Sequence, residues 1–423
     1  MWDKIKLLWT LPDLRKKILF TIGLLVIARL AAHVPIPGID VSRLAQFFQS
    51  NQFLGLLDLF SGGTISKFSI VMMGVAPYIN ASIIMQLLTM ILPKLEALSK
   101  EGEEGRRKIN QWTRLLTVPL AALQAYGMIV VLTRGSQPII NRLDVATIVM
   151  TLVIATAGTI FLMWLGELIT EQGIGNGISL LITVGIIAGI PGSIKNIAAT
   201  LDPAQALSVI ILVAVLLLEI WGIVVVTEAQ RNVPVSYARR VRAGRLTGGV
   251  DTHLPIRVNI AGVIPIIFAL SLMLFPEMIA TFFEQAKTAW IADAAATTKR
   301  LFANQLFYGA VYFVLVALFT FFYTSVVFKP DEIAENLQKQ GGFVPGLRPG
   351  TQTSQFLKFI ISRITLFGAI FLGIVAVIPF ILQSYTHIQT LVISGTGILI
   401  LVSVVIETIK QIKAQIAMRS YEI

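Results

Sequence analysis

Residues 53–88 read FLGLLDLFSGGTISKFSIVMMGVAPYINASIIMQLL, and they contain an apolar segment that stops too soon to cross a membrane. The segment runs from Phe53 to Phe60, breaks at Ser61, Gly62 and Gly63, and is followed by a longer apolar run. Because glycine reaches backbone angles that other residues avoid, the break can act as a hinge. Irregular backbone at membrane depth is tolerated only where protein or a cavity shields it from lipid. The short segment is therefore predicted to lie inside the protein, as a candidate plug in a pore.

The composition of the whole chain is that of a membrane protein. Of its 423 residues, 55% are hydrophobic and 13% are charged, and the mean hydropathy is +0.79. Soluble domains carry about twice that share of charged residues. Basic residues between Lys4 and Lys17 lead into the first apolar span without a small-residue cleavage site, so we expect this span to remain as an anchor. The absence of cysteine excludes disulfides and thiolate chemistry.

A window of about 20 apolar residues for each crossing predicts ten membrane spans. They lie near residues 17–34, 69–92, 112–132, 147–168, 176–190, 207–228, 258–280, 304–327, 356–381 and 387–407. Ten crossings place both termini on one side of the membrane. Most lysines and arginines lie in the N-terminus and in the connections after even-numbered spans. The positive-inside rule therefore predicts that both termini and the long loops are cytoplasmic.

An even number of spans permits two halves of five. The fifth and tenth spans are both rich in glycine, as GIGNGISLLITVGIIAG (173–189) and ISGTGILILVSVV (393–405) show. No residue-level repeat is evident between the halves. Inverted repeats are nevertheless common in transport proteins and often weak in sequence. We expect an N-terminal half over residues 1–190 and a C-terminal half over residues 191–423, with a pore between them.

Two predicted cytoplasmic loops, near residues 229–257 and 328–355, are longer than simple links. The first contains no lysine and six arginines: Arg231, Arg239, Arg240, Arg242, Arg245 and Arg257. The flat guanidinium group suits phosphate and carboxylate partners. The alternative interpretation is that these arginines only enforce the membrane topology or contact anionic lipid. The second loop ends in a proline and glycine turn that presents Arg348, and a stiff connector is the alternative there.

Few charges lie inside the predicted spans, and the clearest are Arg29, Glu219 and Arg363. An intramembrane charge is a functional hypothesis by default. We expect Glu219 to pair with an arginine or with a partner subunit, and a proton site is the alternative. The histidines are not spaced like metal ligands, and no phosphate-binding GxxxxGK[ST] loop occurs. The sequence therefore predicts no catalysis, no cofactor and no metal, so any ATP-driven motor must be another protein.

Seven stretches of this chain closely resemble the bacterial SecY family, the central subunits of the protein-translocation channel. They are HVPIPGID (33–40), LFSGG (59–63), PYINASIIMQLL (77–88), EGEEGRRKINQWTR (101–114), FLMWLGELITEQGIGNGIS (161–179), THLPIRVNIAGVIPIIFA (252–269) and GGFVPGLRPGTQT (341–353). These strings are long and unusual, and the resemblance runs from about Ile5 to the end. One departure is Glu219, at which the family pattern has an apolar residue.

The resemblance implies an all-α polytopic membrane protein. Its ten transmembrane helices would form two pseudo-symmetric inverted halves of five around a central hourglass pore. Roughly residues 53–64 would form the plug that closes the outer funnel. Its core residues are Gly55, Leu56, Leu57, Asp58, Leu59, Phe60, Ser61, Gly62 and Gly63.

The resemblance also implies a narrow ring of aliphatic side chains at the waist of the pore. Carried over by motif, the ring consists of Ile79, Ile83, Ile182, Ile186, Ile267 and Ile400. The pairs 79/83 and 182/186 are one helical turn apart and so share a helix face. A lateral gate to lipid is expected between the second, third, seventh and eighth spans, with the polar residues Ser82, Gln86, Thr89 and Gln124. These four side chains could form hydrogen bonds between helices or only ordinary interhelical contacts, and the sequence is compatible with both.

The function implied is a passive channel for unfolded secretory proteins and membrane-protein helices in the bacterial plasma membrane. Arg239, Arg240, Arg242, Arg245 and Arg348 would dock the SecA ATPase or the ribosome, and SecE and SecG would be partner subunits. Translocating polypeptides, signal sequences and membrane lipid are further expected partners. A secondary transporter is disfavoured by the scarcity of buried charges. A structural scaffold would not account for the plug-like segment.

Overall fold

The computed structural model describes residues 12–37, 61–134, 144–200, 206–237, 240–242, 245–247, 252–283, 288–386 and 395–420. The helices are α1 Pro12–Ala31, α2 Ala76–Ile91, α3 Pro93–Lys100, α4 Glu103–Arg134, α5 Val145–Glu171, α6 Gly177–Thr200, α7 Ala206–Glu228, α8 Ile264–Phe283, α9 Ala289–Ala303, α10 Gln305–Val327, α11 Pro330–Lys339, α12 Thr351–Thr386 and α13 Gly395–Ser420. The strands are β1 Gln230–Tyr237, β2 Arg240–Arg242, β3 Arg245–Thr247, β4 Thr252–Arg257 and β5 Gly342–Phe343.

Each predicted span overlaps one long helix among the described residues: α1, α2, α4, α5, α6, α7, α8, α10, α12 and α13. Within that part of the chain, five helical segments are by themselves long and apolar enough to cross a membrane, or six if the bent pair α2 and α3 counts as one span. The axis turns by 101° between α2 and α3, where Pro93 opens α3. The mostly helical membrane fold is confirmed, and the count of ten crossings stays a prediction.

Two of the predicted spans begin too early. Residues 69–75, predicted to be helical, are not: Ser69 forms an isolated β-bridge with Pro35, residues 70–75 form turns, and α2 starts only at Ala76. Residues 258–263 form a similar irregular approach to α8. The reason is local, because Gly74 (φ +57°) and Gly262 (φ +64°) adopt left-handed backbone angles just before each helix. Apolar composition alone does not distinguish such a buried turn from a helix.

The long helices pack around one large apolar cluster. Every long helix except α4 contributes buried or half-buried side chains to it. The most extensive helix–helix contacts are those of α10 with α12, α2 with α4, and α4 with α5. Across the predicted halves, α8 contacts both α2 and α4, and α13 contacts α6. The halves therefore meet along two seams, one at α8 and the other between α6 and α13.

A small sheet lies at one end of the helices. β1 pairs antiparallel with β4, with Val233 opposite Leu254, and also with β5, with Ser236 opposite Phe343. β2 and β3 form a separate hairpin. Val233 and Ile256 pack under the sheet against Val344 and the start of α12. The sheet therefore joins the loop after α7 to the loop before α12.

Candidate functional site: constriction, hinge, gate and docking surface

The six isoleucines predicted to form the ring lie on α2, α6, α8 and α13. Ile182 and Ile186 on α6 are 7% and 6% exposed, and Ile400 on α13 is fully buried. Ile79 and Ile267 are half-buried and pack against the same apolar cluster as those three. Ile83, one turn farther along α2, is half-buried and is not a member of that cluster. Four helices from both predicted halves thus bring five of the six side chains into one apolar cluster.

A short repeat, missed by sequence reasoning, positions two of these isoleucines. Residues 74–79 read GVAPYI and residues 262–267 read GVIPII, so both fit the pattern Gly-Val-X-Pro-X-Ile. In each copy the glycine is left-handed and the helix begins two residues later. Proline suits this position because the first turn of a helix leaves its N–H groups unbonded. In each copy, too, the isoleucine N–H donates to the valine carbonyl, over 3.1 Å for Ile79 and 3.3 Å for Ile267.

This repeat could have been found in the sequence by aligning the two proline-led spans. It places Ile79 in the predicted N-terminal half and Ile267 in the predicted C-terminal half, each three residues after the first residue of its helix. The two half-buried isoleucines are therefore related by the same local geometry. That geometry supports the prediction of two related halves.

The break after the plug-like segment is held by an arginine from α1. Arg29, in the last turn of α1, donates a hydrogen bond of 2.7 Å from Nη1 to the carbonyl oxygen of Gly62. Gly62 and Gly63 have φ angles of +73° and +77°. A Cβ atom on Gly62 would lie 2.5 Å from the Cα of Gly185 on α6. The backbone at Gly62 is thus held between an arginine of α1 and a glycine of α6. The other residues of the predicted plug before Ser61, 53–60, lie outside the described residues.

A cavity of about 50 Å³ adjoins this hinge. Its polar lining comes from Arg29, Ser61 and Thr64, and its apolar lining includes Ile182 on α6. The Thr64 hydroxyl donates to the Ser61 carbonyl over 3.1 Å. The hinge therefore borders open space on the side of α6 that carries a predicted ring residue.

The predicted gate residues lie on α2 and α4, two helices that both contact α8. Thr89 donates its hydroxyl to the carbonyl of Gln86 over 2.7 Å, within α2. The side-chain oxygen of Gln86 is buried without a hydrogen-bond partner among the described residues. Ser82 and Gln124 are half-buried. In the part of the chain that the structure describes, none of these four side chains makes a hydrogen bond to another helix. The role of these four residues in a gate stays a prediction.

The predicted docking arginines belong to two loops joined by the sheet. Arg240 and Arg242 lie on β2, paired with Thr247 and Arg245 of β3. Arg348 is exposed on the turn before α12. Its backbone N–H donates to Oε1 of Gln352 over 3.2 Å, and its backbone carbonyl accepts from the Thr353 hydroxyl over 3.1 Å. Arg239 lies outside the described residues.

The intramembrane charges do not pair with one another. Glu219 is 5% exposed on the inward face of α7, and its Oε1 atom has no hydrogen-bond partner in the described ranges. Arg29 contacts Gly62 instead, and Arg363 stacks over the ring of Phe359 at 4.3 Å. The arginine partner expected for Glu219 is therefore absent from the described part of the chain. No group of three metal-ligating side chains occurs there either.

Comparison with known proteins relates this arrangement to one family. The family model described as SecY matches residues 69–409. The protein translocase subunit SecY of Streptomyces griseus is 43% identical over 430 residues, with 97% of each chain covered. That of Mycobacterium tuberculosis strain H37Rv is 41% identical over 429 residues, covering 97% of this chain and 96% of the relative.

Solved structures show the same fold. A structure described as a protein conducting channel has a TM-score of 0.63 at 17% identity, and covers 94% of this chain and 91% of its own. Sec61 in the canine ribosome-channel complex has a TM-score of 0.60 at 17% identity, with the same coverage of both chains. The family model and the relatives at 43% and 41% identity show that the chain belongs to the SecY family of protein translocase channel subunits.

Proposed function

We propose that this chain forms a passive channel that moves unfolded secretory proteins across the membrane and releases membrane-protein helices sideways into lipid. The observation that carries the proposal is the convergence of isoleucines from α2, α6, α8 and α13 beside a glycine hinge. An apolar constriction stops small ions by excluding water. Flexible aliphatic side chains can also close around a passing chain without a specific binding group.

In this proposal the ring is Ile79, Ile83, Ile182, Ile186, Ile267 and Ile400. Residues 53–64 act as the plug, and the bond from Arg29 to Gly62 fixes its hinge end in the closed channel. Opening requires this end to move away from Gly185, and the adjoining cavity supplies room for the first displacement.

The sideways exit is proposed at the seam where α8 meets α2 and α4. Ser82, Gln86, Thr89 and Gln124 lie on the side of this seam formed by α2 and α4. Polar contacts between membrane helices contribute only about 0.6 kcal/mol each. A seam without cross-helix hydrogen bonds from these residues suits a gate that must part and close repeatedly.

The proposed setting is the bacterial plasma membrane, with ten crossings, both termini cytoplasmic, and the two halves divided near residue 190. SecE and SecG are the proposed partner subunits. The arginines of β2, β3 and the Arg348 turn dock either the SecA ATPase or the ribosome. The solved relatives include Sec61 and Ssh1 channels bound to ribosomes, which supports the ribosomal alternative. The chain itself is proposed to have no enzymatic activity, so energy comes from the docked partner.

The test compares ion conductance with protein transport in one preparation. The chain is reconstituted into liposomes with SecE and SecG, as wild type and as a variant lacking residues 55–60. We expect the deletion to raise resting conductance while SecA-dependent transport of a secretory protein continues. This combination separates a plugged channel from a carrier, since a carrier has no continuous pore that the deletion could unblock.

The contrary result is equally clear. If neither version transports protein and the deletion does not leak, the channel proposal fails. Glu219 would then be tested as a coupling site of a transporter, because it is the buried intramembrane carboxylate of α7.

A further inference from the structure

The turn between α5 and α6, residues 172–176, is hydrogen-bonded to α13 at the end of the helices that carries the sheet. The N–H of Gly175 donates to Oε1 of Gln411 over 2.6 Å. Nε2 of Gln415 donates to the carbonyl oxygen of Gly173 over 2.6 Å. The bonded residues are 236 and 242 positions apart in sequence. One turn of the N-terminal half is thus fastened twice to one helix of the C-terminal half.

The turn is shaped to present these two backbone groups. Gly173 and Gly175 have φ angles of +75° and +76°, which glycine adopts without strain. Asn176 caps α6 by accepting a hydrogen bond of 3.1 Å from the N–H of Ser179. The Thr170 hydroxyl accepts from the N–H of Gly177 over 2.9 Å, which fixes the other side of the turn. These bonds fix the turn at the N-terminus of α6 independently of α13.

The surface of α13 that faces this turn is a single stripe. Gln411 and Gln415 are one helical turn apart, so both lie on the same helix face. Thr408 lies on this face as well, since its hydroxyl oxygen would be 3.0 Å from a Cβ atom on Gly175. Lys410, next to Gln411, pairs with Glu228 at the end of α7 over 2.8 Å. This segment of α13 is therefore also bonded to α7, a helix of the C-terminal half.

The two helices joined here carry the predicted constriction. Ile182 lies seven residues beyond Gly175 on α6, and Ile400 lies eleven residues before Gln411 on α13. At 1.5 Å per residue the fastening is about 10 to 16 Å from the ring along the helix axes. Fastening the start of α6 to residues 411–415 of α13 at this distance limits how far Ile182 and Ile400 can separate.

We propose that Gln411, Gln415 and the turn 172–176 form a glutamine latch that keeps α6 and α13 together in the closed channel and releases as the constriction widens. This inference rests on the proposed channel function and adds a positioning role for residues outside the pore. The two glutamines work in opposite senses, because Gln411 uses its acceptor and Gln415 uses its donor. Replacement of each by glutamate therefore separates their roles.

The experiment measures resting ion conductance of the reconstituted channel for Q411E and Q415E. Gln411→Glu keeps an acceptor for the Gly175 N–H, so its conductance should stay at or below that of wild type. Gln415→Glu replaces a donor by an anion opposite the Gly173 carbonyl. We expect its conductance to rise roughly threefold to tenfold, the factor that corresponds to loss of one ordinary hydrogen bond from the closed state alone. Protein transport should continue in Q415E.

The matched control is A414E, which adds the same charge at the exposed neighbour of Gln415. It should conduct like wild type. Equal conductance of Q411E and Q415E, or a leak in A414E as large as that in Q415E, contradicts the latch. The deletion of residues 55–60 is measured alongside. If it leaks while Q415E does not, the latch alone is overturned, whereas a deletion that does not leak, with no protein transport by it or by wild type, overturns the proposed channel itself.

Discussion

The guanidinium of Arg29 and the carbonyl of Gly62 form a 2.7 Å hydrogen bond between α1 and the glycine hinge. The two residues are 33 positions apart, and the bond is partly buried. A charged donor makes this interaction stronger than a neutral hydrogen bond. This hydrogen bond therefore restrains the backbone at Gly62, which a glycine would otherwise leave conformationally free.

Replacing Arg29 with glutamine should loosen the hinge and raise resting conductance. Hydrogen bonds to charged groups contribute about 1.5 kcal/mol or more, so a rise of about tenfold is expected. The control is R363Q, which removes the other intramembrane arginine, stacked on Phe359 and not in contact with the hinge. The measurement is the resting ion conductance of both variants in lipid bilayers. Similar leakage in the two would contradict a specific role of Arg29.

Alanine at Gly62 should be more damaging than alanine at Gly63. Both positions have left-handed φ angles, which cost other residues about 1–2 kcal/mol. Only at Gly62 would the new Cβ atom collide with Gly185, since a Cβ atom on Gly63 meets no atom within 4 Å. Thermal unfolding of the purified complexes should show a lower midpoint for G62A than for G63A. Equal midpoints would mean that the hinge does not pack against α6 as described.

Neighbouring isoleucines on α6 provide a test of the ring. Ile186 is 6% exposed within the apolar cluster, whereas Ile187 is 47% exposed. I186S should let water into the constriction and increase ion leakage several-fold, because an apolar pore conducts once it is wetted. I187S should leave conductance near the wild-type value. A larger leak in I187S would place the pore on the other face of α6.

Arg348 should contribute to partner docking through its charge. It is exposed on a turn whose backbone is fixed by Gln352 and Thr353, so R348A removes the side chain without disturbing the fold. We expect weaker ribosome or SecA binding, and, if the partner is ribosomal RNA, a shallower dependence of affinity on salt. The control for general loss of positive charge is K339A, because the ammonium of Lys339 already pairs with Glu335 at 2.8 Å. Unchanged binding by R348A at low salt would remove this residue from the docking surface.

Replacing Glu219 with glutamine should leave protein transport unchanged. The carboxylate is buried with one oxygen unpartnered among the described residues, so its removal relieves a cost and eliminates no observed ion pair. Transport and assembly of E219Q are measured together. Loss of transport with normal assembly would instead point to a proton-coupled role for this carboxylate.

Much of the helical layout follows from the sequence because apolar length is imposed by the membrane. The approach to α2 was not predictable in this way, since residues 69–75 are as apolar as a span and yet are not helical. Its cause, a left-handed Gly74 followed by Pro77, is visible in the sequence only when compared with Gly262 and Pro265.

The site was predictable to a different extent. The isoleucine positions came from family motifs, since an isoleucine at helical spacing has no distinctive chemistry. The contacts of Arg29 with Gly62 and of Gln411 with Gly175 join residues far apart in the chain. Such contacts depend on helix packing, which local sequence patterns do not specify.

The pairing of β1 with β5 has a mechanical consequence. It fuses the loop that follows α7 with the loop that precedes α12, and the side chains beneath it anchor both to α12. A force applied by a docked partner to either loop is therefore transmitted to both loops together. Because α12 extends from Thr351 to Thr386, that force passes along a continuous lever from the sheet into the helical bundle.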